Sequence, residues 1–183
     1  AITLQSMGAK IIASSDVKGA IFNPSGLDAN ELAKYVEKTG SEIGQSPRLV
    51  SEVVRKVKGA IEKPVFVKLT PNVADIAEVA EAATKAGADA IVAANTVRGM
   101  AIDIDTAYPV LANKIGGLSG SALKPIAVRC VYEIYQAVRV PVVGCGGIAT
   151  WQDAVEFMLA GASAVQIGTA VASQGLGIFR SVS

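Results

Sequence analysis

The similarity of two segments within the chain constrains the fold more than any other feature of the sequence. The segments TKAGADAIVAAN and MLAGASAVQIGT both run from the end of a helix through Ala-Gly-Ala into an apolar strand. Successive strands of this kind begin roughly 25 residues apart, which is the length of a βα unit. Repeated βα units form a parallel sheet, either as a closed barrel or as a doubly wound open sheet.

Glycines at the ends of consecutive strands favour the barrel. Gly146 and Gly147 follow the apolar run VPVVGC, and Gly168 closes the run SAVQIG, just before Thr169. A (β/α)8 barrel builds its phosphate site at the C-terminal ends of its last two strands. No G-x-G-x-x-G fingerprint stands at a strand-to-helix turn, which weighs against a Rossmann domain. We therefore predict an incomplete (β/α)8 TIM barrel, an α/β fold with about six of its strands represented.

Hydrophobic periodicity places the individual elements. Strands are predicted at 9–14, 64–69, 89–95, 140–145 and 163–168, with a possible strand at 1–6. Helices are predicted at 29–39, 47–63, 73–87 and 124–138, and between Thr150 and Gly161. A glycine-rich loop is expected up to about residue 123. The helices at 29–39 and 47–63 have no strand between them, which indicates a missing unit in a βα barrel.

Composition narrows the classes of function. Hydrophobic residues make up 51% and charged residues 18% of the chain, which allows a substantial core. The net charge of +1 does not indicate a nucleic-acid partner. We expect neither a membrane span nor a signal peptide. Cys130 and Cys145 lack metal-ligand spacing, so a reducing cytoplasm is the simplest location. Histidine is absent, so acid–base chemistry would need another side chain.

A phosphate site is predicted where the two glycine-tipped strands end. Their N–H groups, and the positive end of the helix that begins near Thr150, favour an anion. The alternative is that Gly146, Gly147 and Gly168 only make tight βα turns. Two such ends on neighbouring strands favour the phosphate site over that alternative.

Other polar residues are predicted at the same mouth. Lys68 lies near the end of a buried strand, where a lysine is costly unless it is paired or functional, although it could snorkel to solvent. Asn95 and Thr96 end the next strand and could hydrogen-bond a ligand, or could simply be polar loop residues. Cys145 is either a reactive thiol or, as we favour, a small buried filler.

Two further residues are predicted to serve packing. Cys130 lies on an apolar helical stripe and is expected in the core, and Trp151, near a helix start, is also expected to pack.

Long motifs of the chain resemble one family. VKLTPNVADI, ANTVRGMAID, PVLANKIGGLSGSALKPIAVR and PVVGCGGIATWQDAVEFMLAGASAVQIGTA closely resemble the class 1B dihydroorotate dehydrogenases. The flavin barrel of dihydropyrimidine dehydrogenase, a sister family, is similar in the same places, and GSEIGQSP and ATWQDA lean toward it. The match is dense from about residue 41 to 171.

The resemblance implies a TIM barrel that binds FMN and oxidises dihydroorotate to orotate in pyrimidine biosynthesis. The roles that it implies are contacts to FMN for Lys68, Ala94, Gly120, Gly146, Gly147, Gly168 and Thr169, and contacts to the pyrimidine substrate for Asn95 and Thr96. It also implies a partner subunit with FAD and an iron–sulfur cluster, in a homo- or hetero-oligomer. From composition we expect no nucleic-acid or membrane partner, and we identify no metal ligand in this chain. The alternatives are a dihydropyrimidine dehydrogenase barrel and a non-catalytic phosphate-binding barrel fragment.

The chain also departs from the family pattern. The family's base is a Cys in an N-x-S-C-P-N-like loop before GSEIGQSP, but here YVEKTG leads straight to SEIGQSP, so no catalytic residue is identified. Gln5 stands where the family has Lys, and NPSGL follows IIAS, whereas it precedes that strand in the family. We expect one FMN-binding domain over residues 1–183, with segments omitted or missing near 15–27 and 40–41 and a truncated C-terminus.

Two explanations of these departures compete. Mobile loops of a longer protein are omitted, or the chain is a deletion product that could not be active. The first is favoured because a barrel without an interior strand would expose two unpaired edges. It predicts a break between Gly40 and Ser41.

Overall fold

The computed structural model describes residues 13–16, 19–22 and 43–182, the first two stretches as backbone only. The predictions for residues 1–6, 23–27 and 29–39, and the predicted break at Gly40–Ser41, lie outside the described residues. The strands in chain order are β1 (Ala13–Asp16), β2 (Gly19–Phe22), β3 (Phe66–Leu69), β4 (Ala90–Ala93), β5 (Val97–Gly99), β6 (Gly116–Leu118), β7 (Val142–Cys145) and β8 (Ala164–Gln166). The α-helices are α1 (Pro47–Ala60), α2 (Ile76–Lys85), α3 (Lys124–Ala137), α4 (Trp151–Leu159), α5 (Thr169–Gln174) and α6 (Ile178–Val182).

Four strands form one parallel sheet in the order β3-β4-β7-β8. In the chain, α2 lies between β3 and β4, α3 between β4 and β7, and α4 between β7 and β8. The described part is therefore a run of βα units, as the internal similarity of the sequence predicted. The strands predicted at 64–69, 89–95, 140–145 and 163–168 are confirmed, each somewhat shorter than predicted.

One face of the sheet packs on the helices to form the core. Leu69, Ile91 and Val142 point to that face and are at most 2% exposed. They meet apolar helix residues such as Val79 of α2 and Ile134 of α3 in one continuous cluster. Cys130 belongs to the same cluster, which confirms it as a core residue, and burial raises the pKa of its thiol.

The opposite face of the sheet carries Lys68 and Phe66, which alternate with the core residues of β3. Phe66 is 59% exposed although it lies in a strand. A face of this kind forms the interior of a closed barrel.

Helices begin at a capping box and end at glycines at positions that the sequence predicted. Thr150 and Asp153 form a reciprocal capping box at the start of α4. Gly87 after α2 and Gly161 after α4 have φ of 105° and 112°, a conformation that favours glycine. Trp151 does not pack as predicted: it is 56% exposed in the first turn of α4.

Two segments outside the parallel sheet form antiparallel pairs. Of the strand predicted at 9–14, Ala13 and Ser14 lie in β1, which pairs antiparallel with β2, and residues 9–12 lie outside the described residues. The expected glycine-rich loop instead contains the antiparallel strands β5 and β6, joined by a long excursion with exposed apolar side chains such as Ile104 and Tyr108.

Within the described ranges, no helix combines the length and apolar character needed to cross a membrane.

Candidate functional site

A cavity of about 320 Å³ lies at the C-terminal ends of the parallel strands. Lys68 of β3 and the residues after β4, β7 and β8 line it, together with the segment that leads into α3. The structure brings together around this cavity all nine residues that the sequence singled out: Lys68, Ala94, Asn95, Thr96, Gly120, Gly146, Gly147, Gly168 and Thr169.

The end of β4 is anchored on both sides. The Ala94 amide donates to the Cys145 carbonyl at 2.8 Å, and the Asn95 amide donates to the Leu69 carbonyl at 2.8 Å. The Asn95 side-chain oxygen accepts from the Thr96 amide at 2.9 Å. The Asn95 oxygen is therefore engaged within the chain, while its amide nitrogen is the group with donors to offer a ligand.

Lys68 extends over the cavity rather than away from it. Its Nζ donates to Sγ of Cys145 at 3.4 Å. Because β4 lies between β3 and β7 in the sheet, this contact crosses above β4. The ammonium group thus lies at the centre of the mouth, where it can stabilise negative charge on a ligand.

Gly146 and Gly147 both adopt positive φ, of 132° and 78°. A Cβ built on Gly147 would lie 2.7 Å from the backbone nitrogen of Lys124. The close approach of this loop to the start of α3 therefore requires glycine at position 147, independently of any ligand.

Gly168 is different, because a Cβ built on it meets no atom of residues 43–182 within 4 Å. Gly168 lines the cavity, and its position leaves open space there. The two glycine ends thus have different physical reasons, which the sequence pattern does not separate.

Each glycine end carries an amide without a backbone partner among the described residues. Over residues 43–182, the amides of Gly147 and Thr169 donate to no other backbone group. Backbone N–H groups of this kind are the usual donors to a phosphate in a βα barrel.

Two amides at the positive end of α4 are engaged within the chain. The Ala149 and Thr150 amides donate to Oδ2 of Asp153 at 3.0 and 2.9 Å. An acidic side chain at the third helical position has therefore already taken the place of an external anion. Any anion in the cavity depends on the loop amides instead.

An ion pair locks Asp153 to the neighbouring helix. Nζ of Lys124, the first residue of α3, is 2.8 Å from Asp153 and 2.8 Å from Glu156. Burial opposes the ionisation of Asp153, but the bonds from Lys124 and from the Ala149 and Thr150 amides outweigh it and lower the pKa of Asp153 to about 2. The same two carboxylates raise the pKa of Lys124.

The sequence missed several residues of the lining. Ser121 and Gln174 lie on the cavity wall, and Nε2 of Gln174 donates to the Ala149 carbonyl at 3.1 Å. The motif GGLSG ends at Gly120, one residue before Ser121. The contact of Gln174 depends on how α5 folds back over the loop, which no local pattern indicates.

These features define the class of protein. Parallel βα units whose C-terminal strand ends surround one cavity are the arrangement of a TIM barrel. The chain belongs to the dihydroorotate dehydrogenase family, since the sequence model described as "Dihydroorotate dehydrogenase" matches residues 35–183.

Similar proteins agree with this assignment. The chain is 55% identical over 148 residues to the catalytic subunit of dihydroorotate dehydrogenase B (NAD(+)) of Methanosarcina acetivorans, covering 81% of this chain and 48% of that protein. It is 58% identical over 157 residues to the subunit of the same name from Pyrococcus abyssi, covering 86% of this chain and 52% of that one. The chain therefore spans about half the length of the curated relatives that it matches.

A solved structure shows the same fold. The ligand-free DHODH of Eimeria tenella superposes with a TM-score of 0.64 at 25% identity, covering 79% of this chain and 46% of that one. The DHODH of the same organism in complex with ferulenol gives a TM-score of 0.63 at 25% identity, covering 75% and 43%.

Proposed function

We propose that this chain forms the FMN-binding half of a dihydroorotate dehydrogenase barrel, and that the protein oxidises dihydroorotate to orotate in pyrimidine biosynthesis. One observation carries the proposal. Nine residues selected by motif, spread from Lys68 to Thr169, line a single cavity at the functional edge of the sheet. The names of the curated relatives support the same reaction.

The cavity suits FMN at both of its ends. The amides of Gly147 and Thr169, which have no backbone partner within residues 43–182, suit a phosphate, as does the open space at Gly168. The Lys68 ammonium suits the pole of the isoalloxazine that becomes negative on reduction. Bound there, FMN would supply the two-electron redox chemistry that amino-acid side chains lack.

The substrate would lie beside Asn95 and Thr96. The Asn95 amide nitrogen and the Thr96 hydroxyl can hydrogen-bond the carbonyl and N–H groups of a pyrimidine ring. The proposed base, a Cys in the family, has no counterpart at the matching position of this chain. We assign its role to no described residue.

The electron acceptor is proposed to be a second subunit that carries FAD and an iron–sulfur cluster and delivers electrons to NAD. The relatives' name, a catalytic subunit of an NAD(+) enzyme, supports such a partner. Among the described residues, no group of three or more His, Cys, Asp or Glu side chains is placed to hold a metal, so the cluster is assigned to the partner. Cys130 and Cys145 are both free thiols, which supports a cytoplasmic location.

The test is reduction of the bound flavin by substrate. The purified protein is loaded with FMN, made anaerobic, and mixed separately with dihydroorotate and with dihydrouracil, while the visible flavin absorption is followed. Bleaching by dihydroorotate alone supports the proposal, and bleaching by dihydrouracil alone assigns the barrel to the dihydropyrimidine dehydrogenases. Bound FMN that neither compound bleaches would overturn the catalytic proposal and leave a flavin-binding fragment. Failure to bind FMN would overturn the cofactor assignment as well.

A further inference from the structure

We propose that Asn72, which lies outside the cavity lining, is a positioning residue that holds the Asn95–Thr96 strip in place for the pyrimidine substrate. The inference rests on the proposed function. It adds a residue that belongs to neither the cofactor set nor the substrate set.

Asn72 clamps the loop after β3 to the segment after β4. Its Nδ2 donates to the Thr96 carbonyl at 2.9 Å and to Oγ1 of Thr70 at 2.9 Å, and its Oδ1 accepts from the Arg98 amide at 2.9 Å. Both N–H donors and one oxygen lone pair of the carboxamide are therefore engaged. Thr70 is 9% exposed, so the hydroxyl that orients the carboxamide is itself held in place.

The two groups that Asn72 engages on the hairpin are those a neighbouring strand would use. The Thr96 carbonyl and the Arg98 amide flank Val97 and point to the same edge of β5. The other edge of β5 pairs with β6, with Val97 opposite Leu118. The Asn72 side chain thus takes the place of a missing strand, and it orients Thr96 from one side while the hairpin orients it from the other.

This position gives Asn72 a selective effect. Thr96 lies on the proposed substrate side of the cavity, and Gly117 packs directly against its side chain. The proposed phosphate end is held by a separate set of bonds, those of Asp153 and Gln174. Loss of the clamp should therefore weaken substrate binding while it leaves FMN binding nearly unchanged.

Two variants test the clamp. Asn72→Ala removes all three bonds, and Asn72→Asp keeps an acceptor for the Arg98 amide but places a carboxylate oxygen against the Thr96 carbonyl. The dissociation constant of orotate is measured from its perturbation of the visible spectrum of bound FMN, and that of FMN from quenching of its fluorescence. We expect the orotate constant to rise about tenfold in both variants, the loss of roughly one hydrogen bond. The FMN constant should stay within about threefold.

Salt dependence separates the lost bonds from added charge. In Asn72→Asp, the new charge can also repel the orotate carboxylate. The share of the rise in the orotate dissociation constant that comes from this repulsion should shrink as ionic strength increases. In Asn72→Ala, the effect should not depend on salt.

Asp89→Asn is the matched control. Oδ2 of Asp89 accepts from the Val65 amide at 2.6 Å and from Lys58 at 2.9 Å, so it also joins two chain segments, but at the opposite end of the strands. We expect this variant to lower stability and to leave both dissociation constants within about threefold.

Hydrogen exchange makes the inference independent of ligand binding. The Arg98 amide should exchange faster in Asn72→Ala than in the unaltered protein, and less so in Asn72→Asp. Unchanged exchange, or equal losses of orotate and FMN affinity, would overturn the positioning role. Failure of the unaltered protein to bind orotate while Arg98 exchange responds as expected would instead overturn the proposed function.

Discussion

Lys68 and Cys145 meet over the end of β4, with Nζ 3.4 Å from Sγ. They belong to β3 and β7, which are not neighbours in the sheet. Ala94 and Cys145 are also joined through their backbones below this contact, at 2.8 Å. The lysine is thus directed to the middle of the cavity by the sheet itself, before any ligand binds, and charge stabilisation of a ligand needs little reorganisation.

Replacing Lys68 with Ala should slow reduction of bound FMN by dihydroorotate far more than it harms the fold. The side chain is exposed, so little packing is lost. Loss of one preorganised charged contact costs about 10²–10³ in rate. Stopped-flow measurement of the reductive half-reaction, beside a urea unfolding curve, checks both parts.

Lys63→Ala is the control for net charge. Lys63 is also exposed, but it precedes β3 at the other end of the strand. In this control, dihydroorotate should reduce the bound FMN at the same rate as in the unaltered protein. If bound FMN is reduced at the unaltered rate in Lys68→Ala as well, the Lys68 ammonium is only solvated and has no role at the flavin.

Cys145 should tolerate a small polar replacement but not a large one. Cys145→Ser keeps an acceptor near Lys68, and we expect the FMN dissociation constant to stay within about threefold. Cys145→Leu places extra methyl groups in the cavity and should weaken FMN binding more than about tenfold. Equal affinity in both variants would show that this side chain does not face the cofactor.

Substitution of the two glycines should separate a ligand contact from a folding requirement. Gly168→Ala adds a methyl group where no atom lies within 4 Å, at a φ of −121° outside the left-handed region, so it should weaken FMN binding with little loss of stability. Gly147→Ala has a φ of 78° and meets the Lys124 backbone, so it should lower the free energy of unfolding by about 1–2 kcal/mol or more. Urea unfolding without FMN and fluorescence titration with FMN give the two quantities.

The expected order is opposite for the two measurements. Without cofactor, Gly147→Ala should have the lower free energy of unfolding, and Gly168→Ala should have nearly that of the unaltered protein. If Gly168→Ala binds FMN with normal affinity, the phosphate does not occupy the space at Gly168.

Much of the site was accessible from sequence because its residues stand at the ends of strands. In a parallel sheet those ends meet at one edge, so locating the runs VFVKLT, DAIVAAN and VPVVGC was enough to bring Lys68, Asn95 and Gly146 together. The helices and their caps followed equally well, since Thr150 with Asp153 is a local signal.

What the sequence did not predict depends on contacts between distant segments. Strand β6 contains two glycines and pairs with β5 only because the chain folds back over a long excursion, so local propensity indicated a loop. The Asn72 clamp joins residues 24 and 26 positions apart. The close approach of Gly147 to Lys124 is likewise a contact between distant segments, and no local pattern indicates it.

The Asp153 carboxylate should make stability depend on pH at the acidic end. Its pKa lies at about 2 in the folded protein, against 3.8 for the unperturbed group. A depressed folded-state pKa stabilises the protein above the unfolded value, and the contribution disappears as the pH falls through the folded value. At neutral pH the unaltered protein should exceed Asp153→Asn by about 1 kcal/mol in unfolding free energy, with allowance for solvent screening.

Urea unfolding at a series of pH values checks the sign as well as the size. The difference between the two proteins should be constant from neutral pH down to about pH 5, and should shrink steadily between about pH 4 and pH 2 as the carboxylate takes up a proton. Glu156→Gln is the comparison for the ion pair alone, because Glu156 contacts Lys124 but holds none of the loop amides. If Glu156→Gln reproduces the whole effect of Asp153→Asn, the charge of Lys124 matters and the bonds from Asp153 to Ala149 and Thr150 do not.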